Sequence, residues 1–270
     1  MSLRAEPVSY AIIGKAMEVH RELGPGLDEV FYHELLSERL RVAGIEHVSK
    51  PREALIHRGH TADIFEPDLV FPGALVAELK WLWGKFAPEH FVQLKCYLKF
   101  WRIADGLLLD FGKESLVQKR YVFEDQPAPS MNLSGFLSEA PPCVGRALAT
   151  PICQTVASIA AAYGLGYRDS TYRGLLAAEL TAEGIQNTTS PSAAIHSGAR
   201  HLGESRLPCI VVEKSAALMV LALRDAIRAA DRAILQSWLK HLHLPWGIIA
   251  HFGAREVQLQ WVGEGGEIAK

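Results

Sequence analysis

The sequence has few of the features that assign a chain to a familiar class. Its four cysteines form no CxxC pair and have no spacing that suits a zinc site, so we expect free, buried thiols in a reducing compartment. It contains no Gly-rich phosphate loop and no nucleophile elbow. These absences argue against a structural zinc protein, a P-loop enzyme and an α/β-hydrolase.

The charge balance excludes a second group of functions. The chain has 28 basic and 30 acidic residues, a net charge of −2, and neither a basic nor an acidic tail. Its first ten residues contain no apolar signal core, and the uncharged run over 147–167 includes Pro151 and several polar residues, which favours a buried helix over a membrane span. We therefore predict a cytoplasmic protein in which any contact with nucleic acid comes from a local patch.

The sequence does contain an internal repeat. GPGLDEVFYHELLSERLRVAGI, from Gly24, aligns without a gap with GLGYRDSTYRGLLAAELTAEGI, from Gly164, and CYLKFWRIADGLLLDFG aligns with SWLKHLHLPWGIIAHFG. Between these segments, ALVAELK matches CIVVEKS, which places Glu213 opposite Glu78. The stretch after Phe123 is rich in Pro, Ser and Gly. These patterns predict two domains and a connecting linker, over residues 1–123, 151–270 and 124–150 respectively.

Hydrophobic periodicity predicts the same order of elements in each half. The order is ααβββαββ, an α/β sandwich around a mixed sheet. In the first half, the predicted helices cover 8–22, 28–42 and 88–101, and the predicted strands cover 46–57, 63–70, 75–82, 104–111 and 116–123.

One apolar hairpin of the first half, PDLVFPGALVAELK, carries unexpected charges. Glu78 and Lys80 are two residues apart on a strand and so share one face, and Asp68 lies on the preceding strand across a Pro-Gly turn. Adjacent carboxylates in apolar surroundings repel each other unless a proton or a divalent cation is bound, and oxygen ligands suit Mg²⁺ or Mn²⁺. The alternative is an edge hairpin with an ordinary Glu–Lys pair.

Two predicted helices carry further polar pairs. Glu29 and Tyr32 are three residues apart on one helical face, and Gln93 and Tyr97 are four apart on another. Glu29 could complete a metal site, and the other pair could hold water or phosphate.

The motifs Gly26-x-x-Glu29-x-x-Tyr32, Asp68-x9-Glu78-x-Lys80 and Gln93-x-x-x-Tyr97, taken in order, resemble the bacterial GxxExxY family of the PD-(D/E)xK nuclease superfamily. The resemblance covers about residues 8–123. It implies two tandem restriction-endonuclease-like domains and a metal-dependent phosphodiesterase that acts on DNA or RNA. It also implies roles for particular residues: metal ligands at Asp68, Glu78, Glu29 and the Leu79 carbonyl, water positioning by Lys80, and supporting contacts from Gln93 and Tyr97.

The second half is predicted to be a degenerate copy that keeps the fold and lacks the site. In the alignment above, Glu29 becomes Asp169, Lys80 becomes Ser215, and Gly203 stands ten residues before Glu213. Fusion of two ancestral copies would create a pseudo-dimer within one chain. A helix predicted over 216–242 would carry a stripe that meets phosphates or forms a solvated face, made of Arg224, Arg228 and Arg232.

Two alternatives stay open at this point. The aromatic residues that surround the charged hairpin and its following helix could stack on bases or belong to the core: Trp81, Trp83, Phe86, Phe91, Phe100 and Trp101. The chain as a whole could also be a non-catalytic scaffold that binds nucleic acid or protein and retains a nuclease fold.

Overall fold

The computed structural model describes residues 5–125 and 131–263. The described residues divide into two compact units, the first made of residues 5–55 and 64–125 and the second of residues 56–63 and 131–263. Of the predicted linker, residues 126–130 lie outside the described part, as do residues 1–4 and 264–270 of the predicted domains.

The first unit contains a five-stranded mixed sheet in the order β1-β4-β5-β6-β7, in which β5 and β6 are parallel and the other neighbours are antiparallel. Along the chain to Val122, the elements are α1 (Ala5–Leu23), α2 (Glu29–Val42), β1 (Val48–Ser49), β2 (Glu53–His57), β3 (His60–Phe65), β4 (Leu69–Phe71), β5 (Leu75–Lys80), α3 (Pro88–Trp101), β6 (Asp105–Asp110) and β7 (Val117–Val122). The α/β fold with a mixed sheet is thus confirmed.

The core of the first unit follows from its apolar patterns. On α1, the apolar residues at helical spacing are buried, among them Ile12, Ala16 and Val19. All six residues of β6 are buried, as expected for a parallel strand that is covered on both faces. The predicted strand over 46–57 is divided into β1 and β2, because Lys50 has a φ of 45° and Pro51 has no N–H for a sheet ladder.

The second unit repeats this sheet in the order β14-β13-β12-β11-β8, again with one parallel pair at its centre. Its further elements are α4 (Leu133–Ser138), α5 (Arg146–Tyr163), α6 (Asp169–Ala182), β8 (Asn187–Thr189), β9 (Ser192–Ser197), β10 (Arg200–Arg206), β11 (Cys209–Val212), β12 (Ala216–Ala222), α7 (Ala229–Leu242), β13 (Trp246–Phe252) and β14 (Val257–Gly263). The uncharged run is the buried helix α5, and no helix in the described ranges is long and apolar enough to cross a membrane.

One sequence prediction for the second half is wrong. Residues 216–222 form β12, so the helix begins only at Ala229, and the arginine stripe does not exist as predicted. Arg224 lies in the loop and pairs with Asp231 at 2.9 Å, Arg228 is the N-cap residue of α7, and only Arg232 is helical. The error arose because a short apolar run has no periodicity that separates a strand from a helix.

The cysteines remain unpaired. Three of them are buried as expected, and Cys143 is exposed.

Candidate active site

The charged hairpin of the first unit brings two acids together. Leu69 on β4 pairs with Ala77 on β5, and this places Asp68 and Glu78 just beyond the last paired residues. Asp68 Oδ2 accepts the N–H of Leu79 at 2.8 Å, and Glu78 Oε1 accepts the N–H of Asp68 at 3.0 Å. Each carboxylate therefore binds the backbone of the other strand, and both are buried, with Glu78 only 2% exposed.

The lysine of the same strand completes this cluster. Lys80 Nζ lies 3.0 Å from Glu78 Oε2. Burial, together with the charge of Asp68, raises the pKa of Glu78 to about 8, although Lys80 acts in the opposite direction. Burial acts to lower the pKa of Lys80, but the charges of Glu78, Glu29 and Asp68 and the hydrogen bond to Glu78 together outweigh it, so the pKa of the ammonium is raised. The three groups are thus electrostatically coupled.

Glu29 also interacts with Asp68 and Lys80 through its charge, although no hydrogen bond between Glu29 and these residues is described. The residue begins α2 and is half-buried. Burial raises the pKa of Glu29, Asp68 raises it further, and the charges of Lys80 and Lys50 lower it. The structure therefore brings Asp68, Glu78 and Lys80 into one hydrogen-bonded cluster, and Glu29 interacts with Asp68 and Lys80 through its charge.

The Gly26-x-x-Glu29-x-x-Tyr32 pattern at the start of α2 has a structural explanation in part. Tyr32 Oη donates to the carbonyl of Gly24 at 2.7 Å and accepts the N–H of Leu27 at 3.1 Å. Gly26 has a φ of 104°, a conformation that favours glycine. Gly26 and Tyr32 thus shape the turn that presents Glu29.

Gln93 and Tyr97 form a pair on one face of α3. Gln93 Nε2 donates to Tyr97 Oη at 3.0 Å, and Tyr97 Oη donates to the carbonyl of Glu66 at 3.3 Å. This contact fixes the chain two residues before Asp68. Glu66 itself is exposed and pairs with Arg52 at 3.1 Å.

Sequence reasoning missed two residues beside the acids. His33 Nε2 lies 3.1 Å from the carbonyl oxygen of Asp68, and its side chain is buried. The N–H of Lys50 donates to the same oxygen at 2.9 Å. The helical spacing of His33, four residues after Glu29, was a usable signal, whereas the backbone turn at Lys50 gave none.

The donor set fits a Mg²⁺ or Mn²⁺ ion held by few protein ligands. Among the described residues, no group of three or more His, Cys, Asp or Glu side chains is close enough to hold a metal ion. Mg²⁺ in proteins usually keeps several waters and takes one or two carboxylates, which Asp68 and Glu78 supply. Because the N–H of Leu79 donates towards Asp68, its carbonyl is directed to the same side of the strand.

The second unit has the same framework around different residues. Phe111 stacks on Tyr32 with ring centres 4.7 Å apart, and Phe252 stacks on Tyr172 at 3.8 Å, which makes the two phenylalanines equivalent. Lys80 pairs with the residue before Phe111, and Leu221 pairs with the residue before Phe252.

The strand pairing also identifies the residues of the second unit that occupy the positions of Glu78 and Asp68. Met219 stands at the position of Glu78, and Cys209 stands at the position of Asp68, since Leu69–Ala77 and Ile210–Leu218 are matching pairs. Both Met219 and Leu221 belong to the hydrophobic core of the second unit. Burial raises the pKa of the Cys209 thiol to about 11. The positions of Asp68, Glu78 and Lys80 are therefore apolar or neutral in this unit, whereas Asp169 keeps an acid at the position of Glu29.

The alignment of Glu213 with Glu78 is wrong. Glu213 lies in the turn between β11 and β12, has a φ of 49° and is exposed. Its carboxylate accepts the N–H of Gln186 at 2.8 Å. The correct match to PDLVFPGALVAELK is PCIVVEKSAALMVL. The sequence alignment instead matched two apolar runs that are each followed by an acid, and it therefore placed β11 opposite β5, where β12 belongs.

Comparison with known proteins gives one positive result. A family model described as the PD-(D/E)XK nuclease superfamily matches residues 6–121 and again residues 146–262. No curated protein matches the chain, and no solved structure does. The two matched ranges correspond to the two five-stranded sheets.

Proposed function

Because the chain belongs to the PD-(D/E)XK nuclease superfamily, we propose that its first unit is a GxxExxY-type, metal-dependent nuclease that hydrolyses phosphodiester bonds in DNA or RNA. The observation that carries the proposal is the buried pair of Asp68 and Glu78 with Lys80 at 3.0 Å from the glutamate. Perturbed, coupled carboxylates of this kind are typical of functional sites.

Asp68, Glu78 and the carbonyl of Leu79 would hold a Mg²⁺ or Mn²⁺ ion, and Glu29 would add negative charge to the site. When bound, the ion supplies Lewis-acid polarisation of the scissile phosphate. For Glu78 to act as a ligand it must release the proton that its raised pKa retains at neutral pH.

The other residues act on water and phosphate. Lys80 orients the attacking water and offsets the negative charge that develops on the phosphate. Gln93 and Tyr97 support the segment that carries Asp68, through the hydrogen bond from Tyr97 to Glu66. His33 is a positioning residue, since it holds the carbonyl of Asp68.

The second unit is an inactive structural partner in this proposal. Cys209, Met219 and Leu221 offer no hard oxygen ligand and no ammonium group at the equivalent positions. We also place the protein in the cytoplasm, where a reducing environment would keep its unpaired cysteines as thiols.

The test is cleavage of labelled single- and double-stranded DNA and RNA by the full chain, with Mg²⁺, with Mn²⁺ and with a chelator. We expect metal-dependent cleavage that falls at least about a hundredfold in Glu78→Gln and in Lys80→Met, the scale for removing one group that stabilises transition-state charge. Glu213→Gln is the matched control, since it removes an exposed acid of the second unit. Equal activity in all four proteins would overturn the site assignment.

A non-catalytic scaffold is the second candidate. It is favoured by the hydrogen bonds of Glu78, whose two carboxylate oxygens already accept from Asp68 and Lys80. The scaffold predicts nucleic-acid or protein binding with no cleavage under any metal condition, so the same assay separates the two candidates.

A further inference from the structure

An exposed tryptophan follows the charged strand in the first unit. Trp83 is 86% exposed, the highest value for any large apolar side chain in the part of the chain that is described. It lies in the loop between β5 and α3, whereas the other aromatic residues predicted for this region are half-buried. A single exposed apolar side chain is common on protein surfaces, so the surroundings of Trp83 decide whether it can serve in binding.

The loop holds Trp83 in a defined place. Asp110 is buried, and its Oδ1 accepts the N–H of Leu82 at 3.0 Å and the N–H of Gly112 at 2.9 Å. Lys113 pairs with Asp110 at 3.2 Å and also donates to the carbonyl of Leu82. A Cβ on Gly112 would lie 2.6 Å from that carbonyl oxygen, so the two backbone segments are in close contact.

A second ring supports the exposed one. Trp81 and Trp83 meet edge to face with ring centres 4.9 Å apart. Trp81 is half-buried and packs against the main hydrophobic core of the unit. Trp81 therefore supports the ring of Trp83 on one side, and the rest of that ring is exposed to solvent and accessible to a ligand.

Trp83 is also close to the proposed site of hydrolysis. Trp83 is the third residue after Lys80, so their Cα atoms lie within about 11 Å of each other, the reach of an extended chain. One nucleotide of a strand rises about 3.4 Å in a duplex and more in a stretched single strand, so this distance spans at most about three nucleotides. Lys85 is exposed in the same loop and adds a positive charge for the phosphate backbone.

The second unit lacks this feature together with the acids. The loop has the same length in both units, because Lys80 and Leu221 are equivalent, as are the N-cap residues Ala87 and Arg228. Ala222 and Arg224 therefore replace Trp81 and Trp83. The fold does not need the two rings, and their loss accompanies the loss of the charged cluster.

We propose that Trp83 stacks on an unpaired base within about three nucleotides of the scissile phosphate, and that the substrate is therefore single-stranded there. Bases within a duplex are covered by their neighbours and present a face only when flipped or unpaired. The inference rests on the proposed nuclease function, and it deepens that function by naming the substrate class.

The first test is binding without turnover. In a Lys80→Met background with Mg²⁺, anisotropy of labelled oligonucleotides measures affinity for single strands and for duplexes. We expect Trp83→Ala to weaken single-strand binding about 5- to 150-fold, the range for loss of one base stack, and Trp83→Tyr to restore most of it. Duplex binding should not change. Tyr10→Ala removes another exposed aromatic ring, on α1, and should have no effect.

An abasic scan makes the test specific. One abasic nucleotide within about three positions of the cleaved bond should weaken binding by the same factor as Trp83→Ala, and it should have no further effect in that variant. Additive losses, or equal losses in Tyr10→Ala, would overturn the stacking role. Cleavage by the wild type that Trp83→Ala leaves unchanged would refute this inference and leave the nuclease function standing. Absence of all nucleic-acid binding and cleavage would refute both.

Discussion

Strands β5 and β12 occupy the same position in two sheets of the same order, yet they differ in the residues that decide chemistry. β5 carries Glu78 and Lys80, whereas β12 carries Met219 and Leu221 in the same register. Both strands are almost entirely buried. The frameworks of the two units agree even in the tyrosine that binds the glycine turn, through Tyr32 and Tyr172.

The difference separates two kinds of residue within one motif. Gly26 and Tyr32 have counterparts in Gly166 and Tyr172, so the turn before the second helix is a requirement of the fold. The cluster of Asp68, Glu78 and Lys80 has no charged counterpart and carries an energetic cost, since burial of a carboxylate opposes its ionisation. A costly cluster that the second unit does without is best explained by a chemical role in the first.

Exchanging the residues between the units should give the largest effect. Cys209→Asp with Met219→Glu and Leu221→Lys places charges in the core of the second unit, and we expect a loss of at least about 3–5 kcal/mol in its free energy of unfolding. The reverse change, Asp68→Cys with Glu78→Met and Lys80→Leu, should alter the first unit by no more than about 2 kcal/mol, because removal of buried charge offsets the lost hydrogen bonds.

Hydrogen exchange measured by mass spectrometry on peptides from β5 and β12 reports each unit separately. Wild-type protein and a Glu213→Gln variant are the references. If both sets of substitutions lowered the free energy of unfolding by the same amount, the two frameworks would have equal tolerance for charge. The proposed difference between the two units would then be wrong.

The sequence predicted much of the first unit because its patterns were long and periodic. Helix α3 covers the predicted range 88–101, and α2 begins one residue after the predicted start. The hairpin also predicted that Asp68 and Glu78 would be neighbours, since a short turn fixes the register of its strands. These features depend on local sequence alone.

What the sequence did not predict depends on pairing between distant residues. The assignment of Glu213 failed because apolar strands of similar composition can be aligned in several registers, and only the pairing of β12 with β13 decides among them. The helical spacing placed His33 on the same face as Glu29, but its contact with the carbonyl of Asp68 depends on tertiary packing that periodicity does not specify.

A smaller effect should appear in the pH dependence of the metal-free first unit. The folded pKa of Glu78 is about 8, above the ordinary value of 4.5 for a glutamate, so the folded state keeps a proton that the unfolded chain releases between these values. The free energy of unfolding should therefore be highest below pH 4.5 and decrease, on the order of a few kcal/mol, as the pH rises to 8. Urea denaturation with a chelator checks this, and Glu78→Gln should remove the slope.

The second unit should show a weaker dependence of opposite sign. Glu179 accepts hydrogen bonds from Arg58 Nε at 2.9 Å and from His57 Nε2 at 2.6 Å. These interactions, of which the hydrogen bond from Arg58 is the largest, lower the pKa of the Glu179 carboxyl to about 2. This stabilisation is present above pH 4.5 and is lost as the pH falls towards 2. The effect is small because the Arg58 side chain is 59% exposed and solvent screens the pair.

Urea denaturation between pH 5 and pH 3 measures this contribution. Glu179→Gln should reduce the dependence on pH in that range and leave the slope between pH 5 and 8 unchanged. A variant with the opposite pattern would show that the two acids had been assigned to the wrong pH windows.

Calorimetric titration of the full chain with Mn²⁺ at pH 7, repeated in buffers of different ionisation enthalpy, shows whether Asp68 and Glu78 form a metal site. We expect one ion per chain and the release of up to about one proton, because Glu78 must deprotonate to bind. Binding and proton release should disappear in Glu78→Gln and persist in Glu213→Gln. Absence of binding in the wild type, or binding that survives Glu78→Gln, would contradict the assignment of the site to the first unit.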